Sequence, residues 1–461
     1  MWSSPSGRAV IIITLFTFAS RGLGLVRQAL LVTRFDPVTS DLLLAANKIP
    51  ENIAQLLIMG TIITSVLPVA SRIESHSEGD SSQVDKSENT SKYLYICLLS
   101  ILTVIGCINL IALIFTPELL SLPFVTNPET IQNFASKGLL DDYYLTTRIL
   151  LIGPLLFATQ SILNVFLFLK KRFMVYSWAG LVYNLFTVLG IWVARDRGYI
   201  VAAWSMVVGA MATVVIYSWD SRRSGLRDIR VIFKGRLTAN IVRFRQDLIQ
   251  TWKLFLPRIF IMDAVVLANL LITPVAQPLT QRPGQITAVD ISLSIYGAFF
   301  IVITSLGTVF FPDLAKIFNE KPRLEFWQTL KKYTKNALLL SVGVSVLTVI
   351  GAPVIVWVFS ILGKFKVNKD YIIMLAQIAS VGIVLRAIKE IWSKYFFVRE
   401  RVWQPVIIEG VGIVAQIGGT YCLCLMNIDA GINVVLTMTL HLVIWVVLAF
   451  GFMYRDWRNG V

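Results

Sequence analysis

About twelve long apolar stretches run through the sequence, and they constrain the fold more than any other feature. Each is about as long as a helix that crosses the hydrocarbon core of a bilayer, which takes about 20 residues. Only helices and closed barrels span membranes, because the backbone must satisfy its own polar groups in lipid. The stretches are too long and too uniformly apolar for the alternating strands of a barrel. The sequence therefore predicts an all-α, polytopic membrane protein. The predicted spans are residues 9–33, 41–70, 93–116, 143–168, 177–196, 199–219, 251–273, 288–312, 334–360, 371–397, 404–426 and 429–453.

The composition supports a membrane protein and excludes several other classes. Hydrophobic residues make up 56% of the 461 residues and charged residues only 15%, whereas soluble domains are about 25% charged. A soluble enzyme, a disordered chain and a disulfide scaffold are therefore excluded. The chain nevertheless carries a net charge of +15, so the position of that charge needs an explanation.

The positive charge is distributed unevenly between the two sets of loops. If the N-terminus is cytoplasmic, roughly 27 of the 42 lysines and arginines lie in inside loops and roughly 8 in outside loops. Loops rich in lysine and arginine remain on the cytoplasmic side, so both termini are predicted to be cytoplasmic. Most of the charge thus reflects membrane topology, and no nucleic-acid partner is predicted.

Short sequence matches recur about half a chain apart, in the same order in each half. The pairs are FASR at 18–21 with FLPR at 255–258, VLPVASRI at 66–73 with FFPDLAKI at 310–317, and FLKKRF at 168–173 with FVRERV at 397–402. Six spans per half is an even number, so the halves share one orientation and form parallel repeats about an axis along the membrane normal. The predicted parts are an N-terminal six-helix lobe (1–219), a basic cytoplasmic linker (220–250) and a C-terminal six-helix lobe (251–461).

Transporters are often built from such repeats, with a site between the halves and alternating access as the mechanism. The alternative interpretation is that the repeat only duplicates a helical bundle, and that the protein does not transport anything.

Several cationic residues fall inside predicted spans, where a charged side chain is costly and usually faces a cavity or a partner. Arg21 and Arg27 lie in the first span, Lys48 in the second and Arg258 in the seventh. A guanidinium matches phosphate through paired, charge-assisted hydrogen bonds. These four side chains therefore predict a cationic pocket for an anionic, phosphate-bearing substrate. The alternative is that they form structural ion pairs or extend to the membrane interfaces.

Acidic residues in the same spans are candidate counter-ions and gating residues. Asp41 and Glu51 lie in the second span, close in sequence to Lys48, and Asp263 lies in the seventh. Asp263 is either a site for a coupling cation or the counter-ion of Arg258.

A second group of ionisable residues lies in the tenth and eleventh spans. Arg386 and Glu390 are four residues apart, which is the spacing of an ion pair on one helix face. Lys389 is in the same span, and Glu409 lies in the next one. We predict that this group is structural.

No motif for catalysis, a cofactor or a metal occurs in the sequence. There is no Walker loop, no nucleophile elbow and no close set of metal ligands. The two histidines, His76 and His441, are far apart. We therefore predict a protein that is not an enzyme and has neither cofactor nor metal. Its transport is driven by a coupling cation or by the membrane potential.

Three segments near the N-terminus resemble the MurJ (MviN) lipid II flippases, which belong to the multidrug/oligosaccharidyl-lipid/polysaccharide exporter superfamily. They are SRGLGLVRQALLVTRF at 20–35, SDLLLAANKIPENI at 40–53 and GTIITSVLPVASRI at 60–73. The resemblance implies two six-helix lobes around a cationic cavity in a bacterial plasma membrane. It also implies that the substrate is an undecaprenyl-diphosphate-linked sugar precursor, which is flipped outward for peptidoglycan synthesis.

Residue by residue, Arg21 and Arg27 fall on the two first-helix arginines of the family, and Asp41 falls on its acidic residue at the start of helix two. Lys48-Ile49-Pro50 falls on the Lys-Leu-Pro of the family. The resemblance implies that these residues hold the diphosphate and gate the cavity.

The sequence departs from the family pattern at several positions. Ala54 and Gln55 stand where the family usually has two arginines, Met59 stands at an acidic position, and Leu293 lies near an expected helix-eight arginine. Arg258 is the candidate substitute for that last charge. The family commonly has two further C-terminal helices that form a groove for the lipid tail, whereas about twelve spans are predicted here.

These departures keep other functions open. A flippase for polysaccharide repeat units is one alternative, and a non-transporting membrane scaffold for cell-wall enzymes is another. A cation-coupled drug exporter and a polytopic glycosyltransferase fit less well. The first would favour acidic residues in its cavity, and the second would need catalytic acids on a large external loop.

Overall fold

The computed structural model of the chain is almost entirely helical in the part that it describes. The described residues are 5–57, 61–76, 83–122, 126, 128–170, 172–194, 198–227, 237–262, 284–320, 322–361, 366–399, 401 and 403–458. Some side chains within these helices also lie outside the description, among them those of Arg21 and Arg258.

Nearly all of the described residues lie in helices α1–α17, and no strand occurs among them. They are α1 (Pro5–Arg34), α2 (Pro37–Leu57), α3 (Thr61–His76), α4 (Gln83–Ile114), α5 (Thr116–Ser121), α6 (Pro128–Ser136), α7 (Leu140–Leu150), α8 (Ile152–Leu169), α9 (Phe173–Val193), α10 (Gly198–Arg223), α11 (Leu237–Arg243), α12 (Arg245–Met262), α13 (Gln285–Glu320), α14 (Arg323–Ile361), α15 (Lys369–Val398), α16 (Trp403–Leu425) and α17 (Ala430–Arg458).

Many of these helices are suited to a membrane. Among the described residues, 7 helical segments are long and apolar enough to cross one, and two shorter apolar segments are Gly180–Val193 and Gln285–Phe300. Every predicted span overlaps at least one described helix. The predicted all-α, polytopic membrane fold is confirmed. The seven segments are Glu88–Ile114, Leu140–Leu169, Gly198–Arg223, Arg323–Ile361, Lys369–Phe396, Trp403–Leu425 and Ala430–Arg458.

The predicted span 143–168 is divided between α7 and α8. Pro154 has no backbone N–H for the carbonyl of Leu150, and its ring crowds that carbonyl, so the regular helix is interrupted there. Beside the interruption, Asn109 of α4 donates a hydrogen bond of 2.7 Å to the carbonyl of Leu151. This bond ties α4 to the start of α8.

Residue contacts separate the chain into two compact units. Unit 1 consists of Met1–Arg34, Leu42–Leu122 and Phe134–Leu267, and unit 2 consists of Phe35–Asp41, Pro123–Asn133 and Ala268–Val461. Helix α12 therefore groups with unit 1, although the predicted C-terminal lobe begins at residue 251.

The side chains of α12 give the reason for this grouping. Asp247 forms a salt bridge of 2.6 Å with Arg72 of α3. The hydroxyl of Thr251 shares a buried hydrogen bond of 2.6 Å with Tyr93 of α4. Both partners belong to unit 1.

Each unit has its own apolar core. In unit 1 the core includes Ile62, Tyr93 and Phe166, from α3, α4 and α8. In unit 2 it includes Tyr395 and Trp445, from α15 and α17. Lipid tails are as apolar as these side chains, so such cores are stabilised in a membrane by close packing rather than by the hydrophobic effect.

In each unit, a similar ion pair links the end of one helix to the end of another. In unit 1, Arg172 follows α8 and pairs with Asp220 near the end of α10. In unit 2, Arg399 and Arg401 follow α15 and bind Asp456 near the end of α17, at 2.9 and 2.8 Å. Arg172 and Arg401 come from FLKKRF and FVRERV, which form one of the pairs of repeated motifs.

Candidate substrate-binding cavity

Helix α1 packs closely against α9 through small and polar residues. A Cβ at Gly180 of α9 would lie 2.6 Å from the hydroxyl oxygen of Ser20 on α1, so a larger residue here would displace that hydroxyl. One turn further along α9, Asn184 donates hydrogen bonds of 3.1 and 3.2 Å to the carbonyl and hydroxyl oxygens of Ser20. Small residues let membrane helices approach, and side-chain amides link them.

This contact orients Arg27. Arg27 is seven residues after Ser20, which is nearly two turns of an α-helix, so both residues lie on the same face of α1. The face that packs on α9 near Ser20 therefore also carries Arg27 into the interior of unit 1. There the arginine lines a cavity.

The cavity has a volume of about 240 Å³ and lies between α1, α2, α7, α8, α9 and α10. Its charged and polar lining residues are Arg27, Asn47, Glu51, Gln160 and Tyr183. The rest of the wall is apolar or small and consists of Pro50, Ala54, Leu150, Gly153, Pro154, Phe157, Gly180, Met206, Val207 and Ala210.

Arg27, which lines the cavity, also has a buried donor without a partner. Its Nε atom is buried and has no hydrogen-bond partner in the described part of the chain. A buried donor without a partner costs about 1–3 kcal/mol, and more when it is charged. Arg27 therefore brings both a positive charge and an unsatisfied donor to this part of unit 1, which is suited to an anion.

The opposite charge comes from α2. Asn47 donates a hydrogen bond of 3.0 Å to the carboxylate of Glu51, one turn along the same helix. Pro50 lies between them and cannot donate to the carbonyl of Ala46, which weakens the helix at this point. The cavity thus has an acidic side on the part of α2 that contains Pro50.

Polar groups on the other helices add neutral donors. The side-chain oxygen of Gln160 accepts a hydrogen bond of 3.0 Å from Thr213, which leaves the amide nitrogen of Gln160 as a donor. Tyr183 contributes a phenol. The cavity can therefore bind an anion at Arg27 and polar hydroxyls elsewhere.

The four predicted cations are described to different extents. Arg27 lines the cavity, whereas Lys48 is half-buried on α2 and is not among the lining residues. Arg21 lies in α1 and Arg258 in α12, but their side chains are outside the description. The four-cation pocket therefore stays a prediction, and Arg27 is its described member.

The three predicted acidic residues occupy different environments. Glu51 lines the cavity, and Asp263 lies outside the described residues. Asp41 is buried in unit 2, where its carboxylate accepts hydrogen bonds from the backbone N–H groups of Gly284 (2.8 Å) and Thr287 (2.9 Å) and from the Thr287 hydroxyl (2.7 Å). Asp41 therefore binds the N-terminus of α13, where a negative charge is favoured.

Sequence reasoning missed Asn47, Gln160 and Tyr183 as lining residues. Their only signal is that they are uncharged polar residues in predicted spans. Ala54 is also informative, because it is 2% exposed and lines the cavity at a position where the resemblance described above implies an arginine. The cavity lacks a cation at this point.

The predicted local pair between Arg386 and Glu390 is wrong. Glu390 forms its ion pair with Lys394 at 3.0 Å, and Arg386 lies 4.5 Å from the centre of the Phe300 ring. Both cations are four residues from Glu390, but a glutamate that precedes its lysine is the more favourable order in a helix.

Comparison with models of protein families matches residues 35–460 to the family described as lipid II flippase MurJ. The chain belongs to the MurJ lipid II flippase family. The match covers both units except for α1, which ends at Arg34, just before the match begins. Comparison with curated protein sequences finds no significant match.

Solved structures with the same fold include a MurJ. The chain is similar to the lipid II flippase MurJ in an inward closed conformation, with a TM-score of 0.74 and 17% identity over 96% of this chain and 87% of that one. It is also similar to an inward-facing multidrug resistance transporter of the MATE family, with a TM-score of 0.74 and 14% identity over 95% and 94% of the two chains. A transporter of the same superfamily from Pyrococcus furiosus has a TM-score of 0.58 and 14% identity, over 94% and 98% of the two chains. At these identities the likenesses show the fold alone.

Proposed function

We propose that this protein flips an undecaprenyl-diphosphate-linked sugar precursor of the lipid II type from the cytoplasmic to the outer leaflet, for peptidoglycan synthesis. Membership of the MurJ family supports a lipid II-type flippase. The observation that carries the proposal for this chain is that Arg27, whose buried Nε has no described partner, lines a cavity. Alternating access of the two lobes is the proposed mechanism.

The chemistry of the cavity suits the diphosphate part of such a substrate. A guanidinium presents several N–H groups in a plane and binds phosphate oxygens in pairs. Pockets that enclose drug-sized ligands measure about 300–1,000 Å³, and this cavity measures about 240 Å³. We therefore infer that it takes the diphosphate and not the whole sugar head group.

The remaining site residues belong to the same proposal. Arg21, Lys48 and Arg258 are proposed to add positive charge for the substrate, and Asp41, Glu51 and Asp263 to pair with these cations during gating. Membrane lipids are the surrounding partners. A coupling cation or the membrane potential supplies the driving force.

The proposed location is a bacterial plasma membrane, with both termini in the cytoplasm. The distribution of lysine and arginine among the loops supports this orientation. The ion pairs of Arg172 with Asp220 and of Arg401 with Asp456 lie at helix ends that this orientation assigns to the cytoplasm.

A bacterial strain whose own lipid II flippase can be depleted tests the function. The strain expresses wild-type protein, Arg27→Ala, Arg21→Ala or Arg34→Ala, and viability is followed during depletion. Arg34→Ala is the matched control, because Arg34 is an exposed arginine at the end of the same helix and does not line the cavity. We expect rescue by wild type and Arg34→Ala, and loss of rescue by Arg27→Ala and by Arg21→Ala. Equal rescue by all variants would contradict the arginine site.

A non-transporting scaffold is the second candidate, and Ala54 is the observation that favours it. The cavity there lacks the positive charge that the family usually supplies. This candidate predicts no rescue by wild type, although the protein inserts normally into the membrane. A flippase for polysaccharide repeat units predicts the same result, together with rescue of a strain that lacks its polysaccharide flippase.

A further inference from the structure

Three ionisable side chains meet in the interior of unit 2, far in sequence from the cavity. Lys389 of α15 forms an ion pair with Glu409 of α16. The other carboxylate oxygen of Glu409 lies 2.9 Å from Nε2 of His441 on α17. The side chains of Glu409 and His441 are 6% and 2% exposed, and that of Lys389 is 17% exposed. All three lie in segments that are long and apolar enough to span a membrane.

The geometry fixes the tautomer of a neutral His441. Glu409 is held as a carboxylate by Lys389, and a carboxylate only accepts hydrogen bonds. The nitrogen that faces it must therefore carry the hydrogen, so Nε2–H donates to Glu409. The lone pair of the neutral ring is then on Nδ1.

This Nδ1 atom is buried and has no hydrogen-bond partner among the described residues. Gly412 of α16 makes room for the ring, since a Cβ there would lie 3.0 Å from Cε1 and 3.1 Å from Nδ1 of His441. Buried polar atoms are almost always paired. The unpaired Nδ1 of His441, next to Gly412, therefore suggests that this atom binds a partner in another protonation or conformational state of the protein.

The other charged side chains near this group on α15 have their own partners. Arg386 lies over the ring of Phe300 on α13 and 5.8 Å from the centre of the Tyr296 ring. Glu390 pairs with Lys394. Lys389 also lies 5.5 Å from the centre of the Trp445 ring on α17. The group of Lys389, Glu409 and neutral His441 therefore has no net charge, and the ion pair is complete without the histidine.

The depth of His441 matters for the function. It lies eleven residues after Ala430, the first residue of α17, which corresponds to about 16 Å along the helix. The hydrocarbon core is about 30 Å thick, so a charge that appears on this ring lies well inside the membrane. Ionisable residues at such depth commonly belong to ion or proton pathways.

We propose that His441, oriented by Glu409 and Lys389, is a proton-binding site and that the proton is the coupling ion of transport. The step is a simple protonation. A proton from water binds the lone pair of Nδ1, an N–H bond forms, no bond breaks, and the group changes from neutral to a charge of +1. The proton returns to water when the site opens again. The coupling part of this proposal rests on the proposed flippase function.

The presence of only two histidines makes the site directly observable. The full-length protein is labelled with ¹⁵N-histidine and placed in lipid nanodiscs, and the ring-nitrogen resonances are followed over roughly pH 5 to pH 8, where histidines change charge. His76→Gln assigns the remaining resonances to His441. We expect Nδ1 of His441 to change from unprotonated to protonated during the titration. A ring that stays neutral throughout would overturn the proposal.

Proteoliposomes test the coupling. The rate of flipping of fluorescently labelled lipid II is compared with and without a pH gradient, for wild type, His441→Gln and the control His76→Gln. Glutamine keeps an N–H donor for Glu409 but cannot take up a proton. We expect the gradient to change the rate of wild type and His76→Gln, and this response to be lost in His441→Gln. An equal response in all three, or none in wild type, would overturn the coupling. Absence of any flipping would count against the proposed function, while the titration would still decide the proton site.

Discussion

Asn184 of α9 donates hydrogen bonds to both the carbonyl and the hydroxyl oxygen of Ser20 on α1, at 3.1 and 3.2 Å. Because Ser20 and Arg27 share a helix face, this contact determines how Arg27 enters the cavity. We predict that Asn184→Ala lowers the rate of lipid II flipping about tenfold and the free energy of unfolding by about 1 kcal/mol, as expected for one polar contact between membrane helices. Flipping in proteoliposomes and thermal unfolding measure the two effects.

Asn433→Ala is the control for this substitution. Asn433 donates a comparable hydrogen bond of 3.1 Å to the carbonyl of Thr420, between α17 and α16 of unit 2. Its loss should lower stability to a similar extent and leave flipping much less affected. If both variants lost flipping equally, the orientation of Arg27 by Asn184 would be contradicted.

Asp41 is predicted to be important for the stability of unit 2. Its carboxylate accepts three hydrogen bonds from Gly284 and Thr287, and the side chain is 3% exposed. In Asp41→Asn an amide N–H₂ group replaces one accepting oxygen and faces a donor, so we expect a loss of about 1–3 kcal/mol of unfolding free energy. Thermal unfolding in detergent measures it. Unchanged stability with abolished flipping would instead indicate that Asp41 acts as a gate.

The two repeated ion pairs are predicted to differ in strength. Asp456 binds Arg399, whose side chain is 8% exposed, as well as Arg401, whereas Asp220 pairs with Arg172, whose side chain is 50% exposed. Breaking a buried pair costs about 3–5 kcal/mol, and exposed pairs contribute about 0–1 kcal/mol. Asp456→Asn should therefore lower the unfolding temperature more than Asp220→Asn. The opposite order would show that burial does not set the strength of these contacts.

Asp36 gives a pH-dependent prediction outside the membrane-spanning segments. Its carboxylate precedes α2 and accepts hydrogen bonds from the backbone N–H (3.1 Å) and hydroxyl (2.5 Å) of Thr39. Partial burial raises the pKa of Asp36, but the hydrogen bonds from Thr39, together with those from the backbone N–H groups of Asp36 and Val38, outweigh burial, and the net pKa is below its usual value. The stabilisation is therefore present above the pKa of the unfolded chain, about 3.9, and is lost as the pH falls through the lower pKa of the folded state.

Asp36→Ala should lower the free energy of unfolding by about 1 kcal/mol at pH 7, as for other N-cap residues. The difference from wild type should become smaller in acid, where the charge is lost, and denaturant unfolding at several pH values measures this. Asp36→Asn is the matched control, because asparagine also caps helices but does not titrate in this range. A pH-independent difference for Asp36→Ala would contradict the role of the charge.

The fold could be predicted because a helix must be about 20 residues long to cross a membrane, so each membrane helix appears in the sequence as an apolar run of that length. Arg27 could be predicted for a related reason, since a cation inside such a run is conspicuous. Gln160 and Tyr183 could not, because uncharged polar residues are common in membrane helices and only packing decides which of them face one cavity. Asp41 was identifiable as an unusual residue, but its partners include backbone N–H groups, which have no sequence signature. Arg386 shows the limit of spacing arguments, because Lys394 satisfies the same rule with respect to Glu390 and in the more favourable order.

The central claim is that Arg27 binds the diphosphate of the substrate, and a flipping assay tests it most directly. Purified wild type, Arg27→Ala, Arg27→Lys and Arg34→Ala are reconstituted in proteoliposomes with fluorescently labelled lipid II, and flipping rates are compared. A hydrogen bond to a charged group contributes about 1.5–3 kcal/mol, so Arg27→Ala should flip about 10-fold to 100-fold more slowly. Arg27→Lys should retain part of the rate because it keeps the charge without the paired geometry, and Arg34→Ala should match wild type. Equal rates for wild type and Arg27→Ala, in protein that is folded and correctly inserted, would contradict the account.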